Sequence, residues 1–324
     1  LGVVHFRDGM RWPEVERRAG RFEFNSVRAT YPARLAAQGG QLVLTVNFGN
    51  PLYDGGHTPH SAQALEAFGA FVASVVERYP AITAVEVGNE FNSANFTSGP
   101  VREAGIARRA GYHLAMVQAV ERALRRVRPE VELWGGGTHS LPAGYLWPVL
   151  DGGAAHMQAL AVHPYTTPVD QLAAQIGVLR RHPAASAMPL AVTEFASRDP
   201  EHAADDLLRG YAALAALGVR AMYWYPLSER GDGTVPLLTR EGQPTVAAEG
   251  FRLVQRLLAT RIARDISPDA FTRVIAFGDD VLVAWGEPRT LQLAREDITA
   301  LDARGREVPR AGLALSATAP LILH

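Results

Sequence analysis

Apolar and polar positions follow two different periods along most of the chain. In residues 62–78, apolar side chains recur at the i, i+3, i+4 spacing of an amphipathic helix. Short apolar runs that separate such segments are typical of buried strands. Strands that alternate with helices predict stacked βα units and a parallel sheet. The predicted strands lie near residues 3–6, 42–46, 84–88, 132–135, 160–162, 190–193 and 221–224.

These seven strands fall short of the eight in a closed (β/α)8 barrel. Residues 1–7 read as the end of a helix, a tight turn and the second strand of such a barrel. The sequence therefore predicts an α/β fold, a TIM (β/α)8 barrel that lacks its first βα unit in this chain. Because an open barrel exposes two strand edges, we expect either a truncated or cleaved polypeptide or a barrel that is completed in another way, rather than a naturally open barrel. Pro80 and Pro129 are expected to end two helices, since a proline ring has no N–H to donate.

The pattern changes after the last predicted helix, residues 246–260. Residues 271–323 alternate apolar and polar positions in short runs that glycine-containing turns interrupt, which predicts antiparallel strands. A barrel needs about 250 of the residues, so the rest form a smaller unit. The predicted domains are a catalytic barrel, residues 1–262, and a small β-sandwich-like domain, residues 263–324, packed rigidly against it.

Composition excludes several classes of function. A net charge of −1 and a pI near 6.9 predict neither a nucleic acid nor an anionic membrane as partner. The arginines within residues 121–128 have the spacing of a solvated helix face. The chain has no cysteine, so a disulfide, a zinc-thiolate site and a cysteine nucleophile are impossible. No run approaches the roughly 20 apolar residues of a membrane span.

The compartment is constrained only weakly by the sequence. No charged segment followed by an apolar stretch begins the chain, so we expect that any targeting segment has been removed or was never present. A chain without cysteine suits the periplasm, the exterior and the cytosol alike. The predicted location is secreted or periplasmic.

Two glutamates close apolar runs at positions where a buried strand passes into a loop. Asn89-Glu90 follows the run 84–88, and Glu194 follows the run 190–193. The carboxyl ends of barrel strands form the rim where barrel enzymes carry out chemistry. A glutamate there is often an ordinary surface carboxylate, but ending a buried run costs desolvation unless the group is paired or used. Two such carboxylates can divide the cleavage of a glycosidic bond, one as acid and the other as nucleophile.

Polar and aromatic residues follow the predicted strands in a fixed order: Arg7, Asn89 with Glu90, His163 with Tyr165, Glu194 and Trp224. This series resembles the retaining β-glycosidases of glycoside hydrolase clan A. Within the clan, segments 7–24 and 236–244 are most similar to family 39. The resemblance covers about residues 1–262.

The resemblance implies a role for each residue of the series. Glu90 would be the acid/base and Glu194 the nucleophile of a retaining hydrolase acting on an oligo- or polysaccharide. Asn89 would bind the sugar 2-hydroxyl, and Tyr165 would contact the nucleophile. Arg7 would hold Glu194 ionised through its positive charge.

His163 would support the sugar or the acid/base glutamate. Trp224 would form the floor of the subsite that holds the cleaved sugar. The chain departs from the family at two positions. Several clan members carry a histidine where this chain has Asn47, a further candidate for substrate binding. Asn89 follows Gly88, where family 39 often has tryptophan.

Other motifs indicate no cofactor. His57, His60 and His139 lack the spacing and carboxylate partners of a zinc site, so no metal is predicted. Residues 135–137, three glycines, lack the Lys-Ser/Thr of a phosphate-binding loop and are interpreted as a flexible passage from strand to loop.

Two alternatives to a glycosidase stay open. A sugar-binding protein on a glycosidase scaffold would bind carbohydrate without turnover. A metal-dependent barrel hydrolase would lose activity on treatment with a chelator. The sequence selects neither the sugar and its linkage nor internal over terminal cleavage.

Overall fold

A computed structural model describes residues 1–293 and 296–324. Residues 294–295, which fall within the predicted β domain, lie outside the described residues. None of the helices in the described part combines the length and the hydrophobicity that a bilayer crossing requires.

All seven predicted barrel strands are present, and a short hairpin, β2 with β3, follows the first of them. The strands up to the last barrel strand are β1 (His5–Gly9), β2 (Glu16–Arg18), β3 (Arg21–Phe22), β4 (Gln41–Val46), β5 (Ile82–Val87), β6 (Glu132–His139), β7 (Ala159–His163), β8 (Leu190–Phe195) and β9 (Ala221–Trp224). The parallel sheet has the order β1-β4-β5-β6-β7-β8-β9. This confirms the predicted TIM-type barrel architecture with seven strands, and β1 and β9 occupy the two ends of the order.

Helices connect the strands, as the periodicity predicts. They are α1 (Trp12–Val15), α2 (Val27–Ala37), α3 (Ala62–Arg78), α4 (Gly99–Glu103), α5 (Gly105–Val127), α6 (Ala143–Gly153), α7 (Leu172–Leu179), α8 (Pro183–Ala187), α9 (Ala203–Ala216) and α10 (Val246–Leu257). The Ser61 side chain caps α3 by accepting a hydrogen bond from the Ala64 N–H. Helices α3 and α5 end shortly before Pro80 and Pro129, and α10 ends at Leu257, before the predicted residue 260.

Contacts divide the described chain into two compact units. The first, called the N-terminal unit, comprises Val3–Pro164 and Gln175–Thr193. The second, called the C-terminal unit, comprises Leu1–Gly2, Tyr165–Ala174 and Glu194–His324. Strand β8 contributes residues to both.

The C-terminal unit contains a second sheet. Its strands are β10 (Ala263–Asp265), β11 (Thr272–Phe277), β12 (Val281–Gly286), β13 (Ala300–Leu301) and β14 (Leu321–Leu323). They pair antiparallel in the order β10-β11-β12-β14-β13. Buried Phe277, Trp285 and Ile322 belong to this sheet. Strand β10 begins at Ala263, the first residue of the predicted second domain, and the domain border itself stays a prediction.

The interpretation of residues 135–137 as a flexible passage is wrong. All three glycines lie buried inside β6, and the register with β7 shifts between Gly135 and Thr138, which marks a β-bulge. Gly136 and Gly137 have φ of 95° and 46°. A Cβ at Gly137 would lie 2.5 Å from the Gly88 carbonyl oxygen. Glycine is needed because two backbones approach closely here and the bulge requires left-handed conformations.

Candidate active site

The segment that follows β5 turns sharply at the predicted acid/base. Gly88 has φ of 93°, and Glu90 has φ of 43°, a conformation uncommon for a residue with a Cβ. The Gly88 N–H donates to the Val46 carbonyl at 2.9 Å. Beneath the turn, the buried His113 ring donates from Nε2 to the Val87 carbonyl at 2.7 Å. A Cβ at position 88 would lie 2.8 Å from that nitrogen, so the packing demands glycine.

Two histidines face the Glu90 carboxyl group. His139 at the end of β6 places Nδ1 3.2 Å from Oε1, and His163 at the end of β7 places Nδ1 3.4 Å from the same oxygen. Burial of this group opposes its ionisation, but hydrogen bonds and charge from the two rings outweigh burial and lower the pKa of Glu90 below its usual range. The sequence identified His163 and dismissed His139 as a metal ligand, although both share the strand-end position.

A third carboxylate, that of Glu86, is fully buried next to His163 and is not among the predicted site residues. Glu86 accepts hydrogen bonds from the hydroxyls of Thr45 at 3.0 Å and Thr193 at 2.9 Å, and it pairs with the Arg7 guanidinium. His163 Nε2 lies 3.6 Å from its Oε1. Burial would raise the pKa of Glu86, but Arg7 and His163 lower it to about 2. The sequence did contain a signal for this residue, because Glu86 is a charged residue in the middle of an apolar predicted strand.

Two asparagines connect the ion pair of Arg7 and Glu86 to the turn that carries Glu90. Arg7 Nη2 donates to Asn89 Oδ1 at 2.9 Å. Asn47 accepts from the Asn89 N–H at 3.0 Å and donates from Nδ2 to the Phe96 carbonyl at 2.9 Å. Asn47 therefore positions the backbone of both the turn and the loop after it. Its predicted contact with substrate stays a prediction, as does the effect of Arg7 on Glu194.

The C-terminal unit holds the second predicted catalytic residue. Glu194 is near the end of β8, and the Tyr165 hydroxyl donates to its Oε2 at 2.5 Å. The Tyr165 ring meets the Tyr225 ring edge to face, with centroids 6.4 Å apart. The Tyr225 hydroxyl donates to Asp232 Oδ2 at 2.8 Å. Burial, the bond to Asp232, and the charges of Asp232 and Glu194 raise the pKa of Tyr225 to about 12, so it remains a neutral donor.

Trp224, the predicted floor of the sugar subsite, is only 8% exposed. Its indole N–H donates to the Val235 carbonyl at 2.9 Å, and its ring packs against Phe195. The next residue, Tyr225, is more exposed and was missed because the sequence offers no marker for it beyond its position after β9.

No protein-family model matches this chain, and no curated protein matches it significantly. Solved structures do match. A family 39 glycoside hydrolase from Bacteroides cellulosilyticus WH2 aligns with 99% of this chain and 75% of its own, at 18% identity and a TM-score of 0.78.

A family 39 β-xylosidase from Caulobacter crescentus aligns with 99% of this chain and 88% of its own, at 16% identity and a TM-score of 0.66. A family 30 subfamily 8 xylanase from Clostridium acetobutylicum aligns with 99% and 89%, at 13% identity and a TM-score of 0.63. Identities this low show a common fold and leave the activity to be argued from the residues. The structural neighbours of this chain are family 39 and related clan A glycoside hydrolases, whose fold it shares.

Proposed function

We propose that the protein is a retaining glycoside hydrolase that cleaves β-glycosidic bonds of an oligo- or polysaccharide by double displacement. Glu90 is the acid/base and Glu194 the nucleophile. The observation that carries the proposal is the pair of strand-end carboxyls, each held by neutral or cationic donors: Glu90 by two imidazoles and Glu194 by the Tyr165 hydroxyl. The fold shared with glycosidases supports a carbohydrate substrate.

The first half-reaction uses Glu90 as an acid. Glu194 attacks the anomeric carbon while Glu90 protonates the departing glycosidic oxygen, which leaves a covalent glycosyl-enzyme. The hydrogen bond from the Tyr165 hydroxyl to Oε2 orients the Glu194 carboxylate for this attack. Because Arg7 donates to Asn89 Oδ1, the amide is oriented with Nδ2 as the donor for the sugar 2-hydroxyl.

The second half-reaction uses Glu90 as a base. The lowered pKa of Glu90 in the unliganded protein keeps its carboxyl group ionised, which is the form that accepts a proton from water in this step. For the first step the carboxyl must be protonated, and a bound sugar favours that form by displacing water from a group that is already mostly buried. The two environments of Glu90 during one turnover thus match its two roles.

Glu90→Ala and Glu194→Ala should each lower turnover by several orders of magnitude, yet respond differently to added azide. With a substrate whose leaving group needs no proton, Glu90→Ala accumulates the glycosyl-enzyme, and azide accelerates its breakdown to a β-glycosyl azide. Glu194→Ala forms no such intermediate. Steady-state kinetics and intact-protein mass spectrometry measure both effects.

Glu66→Ala, an exposed position on α3, is the matched control and should keep wild-type rates. Equal and mild losses of turnover in both glutamate variants would show that Glu90 and Glu194 are not the acid/base and the nucleophile. Carbohydrate binding without hydrolysis by the wild type would favour the alternative of a sugar-binding protein.

The stereochemistry of hydrolysis tests the mechanism independently. Retention requires the two carboxyl groups to lie about 5–5.5 Å apart, whereas inversion needs roughly 6.5–9.5 Å to admit a water. NMR of the first product formed from a β-linked substrate should show the β anomer. An α product would exclude double displacement.

A further inference from the structure

We infer that His139, held in place by Asn92, is a positioning residue that governs how Glu90 gains and loses its proton. This inference rests on the proposed function, since it concerns the acid/base of that reaction. The sequence alone indicates no role for His139.

Both imidazoles contact the same oxygen of Glu90. His139 Nδ1 and His163 Nδ1 lie 3.2 and 3.4 Å from Oε1. A carboxylate can only accept, so both nitrogens carry hydrogen and donate to Oε1. Two donors on Oε1 make Oε2 the oxygen that takes the proton and passes it to the glycosidic oxygen.

The two histidines differ in their access to solvent. His163 is fully buried, and its other nitrogen faces Thr193 at 3.1 Å, Arg7 at 3.5 Å and Glu86 at 3.6 Å. Its hydrogen bonding is therefore fixed by the cationic and anionic groups of β1 and β5. The His139 side chain, in contrast, is 41% exposed and in contact with solvent. Of the two rings that face Glu90, His139 is therefore the one that can be replaced without opening a space in the buried interior.

The Asn92 side chain forms hydrogen bonds with both backbone polar groups of His139. Asn92, two residues after Glu90, accepts from the His139 N–H at 2.9 Å and donates from Nδ2 to the His139 carbonyl at 3.0 Å. The buried Arg109 of α5 in turn donates to the Asn92 carbonyl at 2.9 Å. The loop that carries Glu90 thus also fixes the strand end that carries its partner.

A donor that favours the carboxylate form makes Glu90 a weaker base and a stronger acid. Removing it should keep Glu90 protonated to higher pH. The effect is confined to reactions in which the leaving group needs that proton. This selectivity separates control of protonation from a loss of packing.

The test is the pH profile of kcat/KM for His139→Leu with two aryl β-glycosides, one whose leaving group needs a proton and one whose leaving group does not. For the first substrate, the alkaline limb should move to higher pH. Above the wild-type midpoint the variant should then retain roughly two- to fivefold more of its own maximum. For the second substrate, the alkaline limb should stay where it is in the wild type.

Matched variants keep the test interpretable. His139→Asn leaves an amide donor close to the position of Nδ1 and should return the limb towards wild type. His156→Gln removes another partly exposed histidine that contacts a glutamate, Glu121 at 2.6 Å, and should change nothing. Asn92→Ala should shift the limb in the same direction as His139→Leu, and it should add no shift to His139→Leu in the double variant.

An unchanged limb in a folded His139→Leu, or an equal loss for both substrates at every pH, would overturn the inference. An additive shift in the double variant would show that Asn92 does not act through His139. Failure of the wild type to hydrolyse any glycoside is a separate result, because it rejects the proposed function before the pH profile can be measured.

Discussion

At the scale of single residues, the buried pair of Glu86 and Arg7 positions the candidate site residues of the N-terminal unit. Glu86 is 0% exposed, and its two hydroxyl donors and Arg7 satisfy it. Arg7 then orients Asn89, and Glu86 limits the positions open to His163. A buried ion pair adds little net stability, but removing one partner leaves the other charge uncompensated.

Glu86→Gln is therefore expected to destabilise the protein by about 3–5 kcal/mol, as measured by urea unfolding at neutral pH. Activity should fall as well, because Arg7 and Asn89 lose their fixed positions. Combining Glu86→Gln with Arg7→Gln should recover part of the lost stability, since no buried charge then stands alone. Strictly additive losses would show that the two residues act separately.

At the scale of elements, the periodicity located the strands and helices more reliably than their ends. The predicted helix 62–78 has those bounds in the structure, because a serine cap and a following proline mark its ends locally. Strand β6 extends to His139 although its apolar run stops at 135. The glycines at 135–137 have no side chain that could show apolar periodicity, and hydrogen bonding with β7 continues the strand past them. That extension brings His139 to the rim.

At the scale of the whole molecule, two buried groups make global stability depend on pH. Burial lowers the pKa of His113 from 6.5 to about 4. The neutral ring contributes stability that is fully present above pH 6.5 and is lost as the pH falls towards 4, because the unfolded chain takes up a proton there. The pKa of Glu86 is lowered from 4.5 to about 2, so its contribution to the free energy of unfolding is lost as the pH falls from 4.5 towards 2.

Urea unfolding from pH 7.5 down to pH 4 should therefore show stability falling below pH 6.5. His113→Gln should flatten this slope, although it lowers stability at pH 7.5 by weakening the contact with Val87. His5→Gln, at an exposed position of β1, should keep the wild-type slope. An equally steep slope in His113→Gln would mean that another group titrates in this window.

The sequence by itself determined the α/β class, the seven barrel strands, the C-terminal antiparallel sheet, and the strand-end positions of Glu90 and Glu194. These follow from local information, since apolar periodicity, helix caps and prolines act within a few residues. The resemblance to clan A glycosidases rested on residues at the same strand ends. The structural neighbours confirm it at the level of the fold.

Only the tertiary structure decided which groups contact Glu86 and Glu90. Arg7 and Glu86 are 79 positions apart in sequence, and His139 and Glu90 are 49 apart. No periodic pattern links residues at such separations. Their contacts arise because parallel strands end at one edge of a sheet, where the bulge in β6 and the turn at Gly88 set each side chain's direction. The donors that satisfy the buried Glu86 carboxylate are therefore identified only once the chain has folded.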